Sequence, residues 1–134
     1  MMTNQEMAQR AQEVTQFQPA NPVEMERRIT QANDLLDALV EAQLDTNNRR
    51  YSAESAYVLQ KNTRMTFWMN EGKSVTFARA QAEVESQEQF EAWNSCKAEY
   101  HHLEDLSQAL RTRIYSWLNI NKRVQAAYNS HRGT

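Results

Sequence analysis

The chain contains very little glycine, proline and cysteine: two Gly, two Pro and one Cys among 134 residues. A β-sheet protein needs a turn about every eight to twelve residues, so this shortage of turn-forming residues argues against sheet folds and favours few, long helices. The single cysteine, Cys96, excludes an intramolecular disulfide framework and fits a reducing cytoplasm. We therefore expect an all-α fold.

Long apolar runs are also missing. No run approaches the ~20 residues of a membrane span, and Met1 to Arg10 is polar, without the basic and then apolar profile of a signal peptide. A net charge of −2 argues against a strongly basic nucleic-acid coat and an acidic disordered tail. These properties predict one cytoplasmic domain without a membrane partner.

A long first helix is predicted from residue 22 to 70. Asn21 is a capping residue, Pro22 occupies a position where its missing N–H costs nothing, and Glu24 completes a helix start. Apolar residues then recur every three or four positions with no helix breaker before Asn70. The Gln-rich residues 1–20 are predicted to form a flexible arm or a short helix.

The rest of the chain, from Asn70 onward, predicts one break and two further helices. The stretch from Asn70 to Ser74 contains Gly72 and marks a turn. A short helix is expected over residues 75–85. Ser86 and Gln89 have the spacing of a capping box, which would open a second long helix over residues 87–130. Residues 21–134 are thus predicted to be a helical hairpin domain.

Heptad spacing identifies the apolar faces of both long helices. The residues predicted to form the core or an oligomer contact are Leu44, Tyr51, Val58, Met65, Trp93, Tyr100, Leu103, Leu106, Leu110, Ile114, Trp117, Ile120 and Val124. The last helix carries a third apolar row, more than a two-stranded seam needs. A 49-residue helix is also about 73 Å long, whereas a compact domain of this size has a radius of gyration of about 14 Å. We therefore expect a homo-oligomer larger than a dimer.

Charge alternates in blocks along the chain. Residues 1–48 carry 3 basic and 8 acidic side chains, residues 49–79 carry 6 and 2, residues 80–105 carry 1 and 7, and residues 106–134 carry 5 and none. A fold at Gly72 would set opposite blocks beside each other. The alternation favours antiparallel pairing of the two long helices and also offers a structural explanation for every basic residue.

Catalytic and metal-binding patterns are weak. The candidate metal ligands are Cys96, Glu99, His101 and His102. Adjacent histidines on a helix point about 100° apart, so both cannot bind one ion from that helix without distortion. Groups arranged around a concavity, as catalysis requires, are not indicated. We expect no enzyme activity, no metal and no cofactor.

A cluster of basic and aromatic residues precedes and follows the predicted turn. Its members, the candidate nucleic-acid-binding residues, are Lys61, Arg64, Phe67, Trp68, Lys73 and Arg79. Cations and stackable rings together are what single-stranded nucleic acid requires, because every nucleotide has a charge and every base a π-face. The alternative is that the rings form the end of a hairpin core, with Lys61 and Arg64 paired to Glu88 and Glu91.

Three motifs resemble the UvsY-like recombination mediators of bacteriophages. The first is a basic and an aromatic pair before a Gly-containing turn, Lys61-Asn62-Thr63-Arg64-Met65-Thr66-Phe67-Trp68 and then Glu71-Gly72. The second is a short acidic linker region that follows the turn. Here the chain also resembles a broader group of small phage proteins, through Glu71-Gly72-Lys73-Ser74-Val75 and Ala80-Gln81-Ala82-Glu83. The third lies in the last helix, Ala109-Leu110, Ile114-Tyr115-Ser116 and Ile120-Asn121-Lys122-Arg123. The resemblance covers residues 30–133; the spacing of Lys61 differs by one residue, and residues 1–20 depart from the pattern.

The resemblance implies a ring-like homo-oligomer that binds single-stranded DNA and helps a RecA-type recombinase displace the single-strand-binding protein in an infected or lysogenic host. The family's basic pair corresponds to Lys61 and Arg64. The alternative function is a helical interaction protein that does not bind DNA, such as a phage assembly chaperone, a scaffold or a host-enzyme inhibitor. Whether Lys61, Arg64, Lys73 and Arg79 face solvent or lie in ion pairs separates the two hypotheses.

Overall fold

The computed structural model describes residues 2–16 and 22–132, and all regular structure in these ranges is helical. Four helices follow one another: α1 (Asn4–Gln16), α2 (Pro22–Asn70), α3 (Val75–Glu85) and α4 (Gln87–Arg132). The predicted all-α class is confirmed. The predicted cap at Asn21 lies outside the described residues. No helix in the described ranges is long and apolar enough to cross a membrane.

The N-terminal segment forms a helix, the second of the two predicted possibilities. Thr3 caps α1 through its side chain, because the Glu6 amide donates to Thr3 Oγ1 at 3.1 Å. Met7, Ala11 and Val14 follow at spacings of four and three, and all three are buried. One face of α1 is therefore part of a core rather than a solvated arm.

The chain divides into two compact units. Unit 1 comprises residues 1–43 and 102–134, and unit 2 comprises residues 44–101. Unit 1 contains a continuous apolar core to which three helices contribute. Its buried members are Met7, Ala11, Val14, Met25, Ile29, Ala32, Leu35, Leu39, Leu103, Leu110, Ile114 and Trp117. Since burying a large aliphatic or aromatic side chain contributes about 1.5–3 kcal/mol, this core dominates the stability of unit 1.

Unit 2 has no comparable core. Its fully buried residues are small or polar, namely Thr46, Ala78, Ala82 and Ser86. Ring contacts take the place of aliphatic packing. The half-buried Tyr57 and Trp93 stack with centroids 5.7 Å apart, and the half-buried Trp68 meets the exposed Phe77 edge to face at 5.6 Å. Aromatic pairs of this kind contribute about 0.5–1.5 kcal/mol each beyond the area they bury.

Hydrogen bonds and an ion pair join α2 to α4 within each unit. In unit 1, Gln125 donates to Glu26 and Ser107 donates to Gln43. In unit 2, Arg49 forms an ion pair with Glu99 at 3.4 Å. The last of these contacts joins a residue of the basic block 49–79 to a residue of the acidic block 80–105.

The turn between α2 and α3 depends on one glycine. Gly72 has φ +86°, a left-handed conformation that L side chains rarely adopt. Ser74 then caps α3 by accepting from the Phe77 amide at 3.2 Å. Ser86 does not form the predicted capping box, because its buried hydroxyl donates back to the Ala82 carbonyl at 2.7 Å. Ser86 ends α3 instead of capping α4.

The predicted apolar rows differ in how far the monomer buries them. Leu103, Leu110, Ile114 and Trp117 are buried, and Leu106 packs against them half-buried. Met65, Trp93 and Tyr100 are half-buried. The remaining members are exposed, namely Leu44, Tyr51, Val58, Ile120 and Val124. Leu44, Tyr51 and Val58 therefore do not belong to the monomer's core, and their role as an oligomer contact stays a prediction. In unit 2, α2 turns Thr46, Tyr57 and Trp68 inward instead.

Candidate nucleic-acid interface

The candidate site lies in unit 2, around the turn that joins α2 to α3. α2 contributes Lys61, Arg64, Phe67 and Trp68, which span two helical turns before Asn70. Lys73 lies in the turn. Arg79 is exposed on α3, two residues after Phe77. The two helices bring all six predicted residues into the same unit, but they do not give them the same environment.

Arg64 and Trp68 share one acceptor, the carboxylate of Glu85 at the end of α3. Arg64 Nε lies 2.7 Å from Glu85 Oε2 and Arg64 Nη2 lies 3.2 Å from Oε1, a bidentate pair. The indole Nε1 of Trp68 donates to Oε2 at 3.0 Å. These two residues lie one helical turn apart on α2, so a single carboxylate on α3 reaches both.

The same hydrogen bonds control the ionisation of Glu85. Donation from Arg64, followed by donation from Trp68, lowers the pKa of Glu85 from its ordinary 4.5 to about 2. Glu85 is therefore ionised at neutral pH and compensates the charge of Arg64. The pair holds α3 against the end of α2. Because Glu85 partly neutralises the Arg64 guanidinium, Arg64 would attract a phosphate less strongly.

Lys61 is also engaged in an ion pair. Its Nζ lies 3.3 Å from Glu83 Oε1. Pairing with Glu88 and Glu91, the expected partners of Lys61 and Arg64, is wrong: α3 supplies both carboxylates, and Glu91 instead accepts from Gln87. The sequence predicted α3 as a short helix but gave its acidic last turn no partner, whereas Glu83 and Glu85 lie against α2. Ion pairs inside unit 2 thus give two of the four candidate cations, Lys61 and Arg64, a structural role.

The other two cations face solvent. Lys73 and Arg79 are exposed, and so are the rings of Phe67 and Phe77, at 41% and 43%. The Lys73 ammonium lies 5.4 Å from the Phe77 ring centroid, and the Arg64 guanidinium lies 4.3 Å from the Phe67 ring centroid. Each exposed ring therefore has a cation within the range of a cation–π contact.

Phe77 was not among the predicted binding residues. It directly precedes Ala78, which is buried together with Ala82 of the same helix. The position of Phe77 in the sequence could have identified it as a binding residue, because Phe77 is the third residue after the capping Ser74 and lies in the first turn of α3. A ring so close to the chain turn is readily left partly exposed.

The candidate metal ligands are dispersed. His101 and His102 are exposed, Cys96 is half-buried and Glu99 binds Arg49. In the described ranges, no three His, Cys, Asp or Glu side chains lie close enough to hold a metal ion. The turn region remains the place where charged groups and exposed rings converge.

Comparison with known proteins finds no relative of this chain. No protein-family model, no curated protein and no solved structure matches the chain.

Proposed function

We propose that the protein is a non-catalytic, single-stranded DNA-binding accessory factor that acts as a homo-oligomer, in the manner of a phage recombination mediator that helps to load a RecA-type recombinase. The observation that carries the proposal is the pair of exposed rings at the α2–α3 turn, Phe67 and Phe77, each with a cation beside it. Lys73 and Arg79 supply further charge on solvent-facing side chains.

The chemistry follows from the two kinds of group. Exposed rings can stack on bases of any sequence, and each such contact contributes about 1–3 kcal/mol. Lys73 and Arg79 would bind phosphates, which releases counterions and makes affinity depend on salt. In this proposal Lys61 and Arg64 have a structural role in the site. Their ion pairs with Glu83 and Glu85 hold α3 in place, so that Phe67 and Phe77 stay at the turn.

Assembly would compensate for the chain's net charge of −2. We propose that α2 and α4 form an antiparallel hairpin and that several hairpins associate with their turn ends on one side. Symmetry would repeat the cations of one turn around the particle, so that a few per subunit become many per assembly. The large apolar side chains that α2 exposes provide surface for such association.

A fluorescence-anisotropy titration tests DNA binding. A labelled single-stranded oligonucleotide would be titrated with wild type, with the double variant Lys73→Ala/Arg79→Ala, and with Lys122→Ala/Arg123→Ala. The last variant is a matched control that removes two exposed cations from α4. If Lys73 and Arg79 each contact a phosphate, the slope of log K against log salt should fall by about 1.4 in the first variant only.

The rings need a separate test. Phe67→Ala/Phe77→Ala should weaken binding to every sequence by about 1–3 kcal/mol for each ring that stacks, and should leave the salt slope unchanged. Tyr115→Ala, which removes an exposed ring from α4, is the control. Folded, oligomeric wild-type protein that binds no oligonucleotide at low salt would contradict the proposal.

A second function has its own support. The ion pairs of Lys61 and Arg64 with Glu83 and Glu85 fit a helical interaction protein without DNA, because they give these cations a structural role. That protein would be an assembly chaperone, a scaffold or a host-enzyme inhibitor that binds partner chains through its exposed apolar surface. The same titration separates the two, since this function predicts equally absent DNA binding for wild type and all variants.

A further inference from the structure

Unit 2 holds its cations in two different ways. Arg49, Lys61 and Arg64 form ion pairs with carboxylates of the same unit. Arg50 and Lys97 are half-buried, yet neither forms an ion pair with a carboxylate in the described part of the chain. Aromatic rings hold these two instead. Because a ring has no net charge, a cation–π contact positions a cation without neutralising it. Unit 2 therefore contains two positioned cations that lack a carboxylate partner.

The two cations border the same side of α4. The Arg50 guanidinium lies 5.1 Å from the ring centroid of Tyr51 on α2 and 4.7 Å from that of Tyr100 on α4. Lys97 precedes Tyr100 by three residues, and its ammonium lies 3.9 Å from the ring centroid of Trp93, four residues earlier. Residues three and four apart are neighbours on a helix surface. Arg50, which α2 contributes, therefore lies beside the row of α4 residues that holds Lys97.

Further ring contacts connect these cations to the turn. Arg50, Tyr57 and Arg64 are seven residues apart, an interval that returns to the same side of a helix. Tyr57 stacks on Trp93, and the Lys61 ammonium lies 5.8 Å from the Tyr57 ring centroid. The Arg64 guanidinium then contacts the exposed ring at the α2 end of the turn. Cations and rings thus follow one another along α2 from residue 50 to the turn.

A surface that combines unpaired cations with rings suits a polyanion that itself presents rings. Single-stranded DNA has both, since every nucleotide carries a charge and every base has a π-face. The Tyr51 side chain is 55% exposed, so a base can reach it. Glu54, one helical turn after Arg50, is the next acidic residue along α2, and no ion pair joins the two within the described structure. Arg50 is therefore available to a phosphate.

We infer that a single strand bound at the turn continues along α2 and that Arg50 and Lys97 bind its phosphates, with Tyr51 as a further ring for a base. This inference rests on the proposed function and extends its site. The 17 residues from Arg50 to Phe67 span about 26 Å at 1.5 Å each. About eight stacked nucleotides cover that length at 3.4 Å each. A strand much shorter than this reaches the turn only.

Strand length tests the extension. Anisotropy titrations would compare oligonucleotides of about 4 and about 16 nucleotides, which are about 14 and 54 Å long when stacked, on wild type and on Arg50→Gln/Lys97→Gln. Two phosphate contacts account for about a sevenfold loss of affinity when salt rises from about 50 to 200 mM. With the long oligonucleotide, the double variant should lack this sevenfold part of the wild-type salt dependence. The short oligonucleotide should bind both proteins with the same affinity.

Arg49 provides the matched control. It adjoins Arg50 in the sequence and carries the same charge, but Glu99 binds it. Arg49→Gln should therefore leave the salt dependence with the long oligonucleotide unchanged, whereas Arg50→Gln alone should remove a factor of about 2.6 over the same salt range. Arg50→Lys/Lys97→Arg keeps both charges and should retain the wild-type salt dependence. A role in packing alone would instead lower the stability of the glutamine variants in urea and leave every titration unchanged.

Three outcomes would overturn the inference. The first is wild-type affinity and salt dependence of Arg50→Gln/Lys97→Gln with the long oligonucleotide. The second is an equal loss with both oligonucleotides, and the third is an equal loss for Arg49→Gln and Arg50→Gln, which would indicate a general effect of charge. In all three cases wild type still binds DNA, so the proposed function stands. A wild-type protein that binds neither oligonucleotide would contradict the proposed function itself.

Discussion

The two units of the molecule are stabilised in different ways. Unit 1 buries twelve apolar side chains from three helices, including Leu39, Leu110 and Trp117 with almost no exposed surface. Unit 2 fully buries two alanines and two hydroxyl side chains, Ala78, Ala82, Thr46 and Ser86, and relies on stacked rings and ion pairs. Its largest side chains, Trp68 and Trp93, are only half-buried.

This difference indicates which unit carries the exposed groups proposed to bind a partner. Unit 1 has a continuous apolar core of twelve side chains, whereas unit 2 keeps even its largest rings half-buried or exposed. Regions with few buried apolar contacts open locally at lower free energy than the core. Unit 1 thus supplies stability, and unit 2 carries the exposed rings and cations on which the proposed function depends.

The largest effect is expected from Trp117→Ala in unit 1. The ring is buried at 1% exposure, so its loss should leave a cavity and reduce the free energy of unfolding by about 3–5 kcal/mol. Urea denaturation followed by circular dichroism measures this. Tyr115→Ala, two residues away and exposed, should change stability by less than about 0.5 kcal/mol. Equal losses in the free energy of unfolding for the two variants would contradict the conclusion that the buried core stabilises unit 1.

A smaller loss is expected from Trp93→Ala in unit 2. Trp93 is half-buried, stacks on Tyr57, and lies edge to face with Phe90 at 6.2 Å. With two aromatic pairs at about 0.5–1.5 kcal/mol each, the cost should be about 1–3 kcal/mol in the same denaturation experiment. A loss as large as that of Trp117→Ala would mean that unit 2 has a core after all.

Ser107→Ala should have a modest effect in unit 1. The buried Ser107 hydroxyl donates to Gln43 Oε1 at 2.9 Å, and a hydrogen bond of this type contributes about 0.5–1.5 kcal/mol. Ser116→Ala, an exposed serine of the same helix, corrects for the better helix propensity of alanine. If the two variants unfold at the same urea concentration, the α2–α4 hydrogen bond contributes nothing to unit 1.

The smallest effect should be present at neutral pH and disappear in acid. The folded-state pKa of Glu85 is lowered to about 2, so its pair with Arg64 contributes stability above its ordinary pKa of 4.5 and loses it as the pH falls towards 2. Glu85→Gln should therefore be less stable than wild type at neutral pH, and the difference should vanish by about pH 2. Unfolding curves at several pH values measure this. The control Glu88→Gln replaces an exposed carboxylate, and its free energy of unfolding should differ from that of wild type by the same amount at every pH.

The positions of the helices follow from a few residues that the sequence displays. Pro22 and Gly72 bracket a segment without helix breakers, and α2 spans Pro22–Asn70 where residues 22–70 were predicted. Residues 75–85 and 87–130 were predicted for the next two helices, and α3 and α4 span Val75–Glu85 and Gln87–Arg132. Local signals suffice here because proline, glycine and capping groups act within a few residues.

The inward side of α2 in unit 2 could not be read in the same way. Heptad spacing selects Leu44, Tyr51 and Val58, yet all three are exposed. The side turned inward contains Thr46, Tyr57 and Arg64, a mixture without apolar periodicity. Its partners lie on α3 and α4, and only the tertiary arrangement of unit 2 shows that Glu85 is near enough to bind Arg64.

The hydrogen bond from Trp68 to Glu85 also gives the turn an optical reporter. Trp68 lies between Phe67 and Phe77, with its indole N–H held by a carboxylate and its ring against both neighbours. Indole emission shifts to longer wavelength when the ring moves into water. Fluorescence of a variant that retains Trp68 as its sole tryptophan would therefore follow the docking of α3 on α2 directly, in solution and without any attached dye.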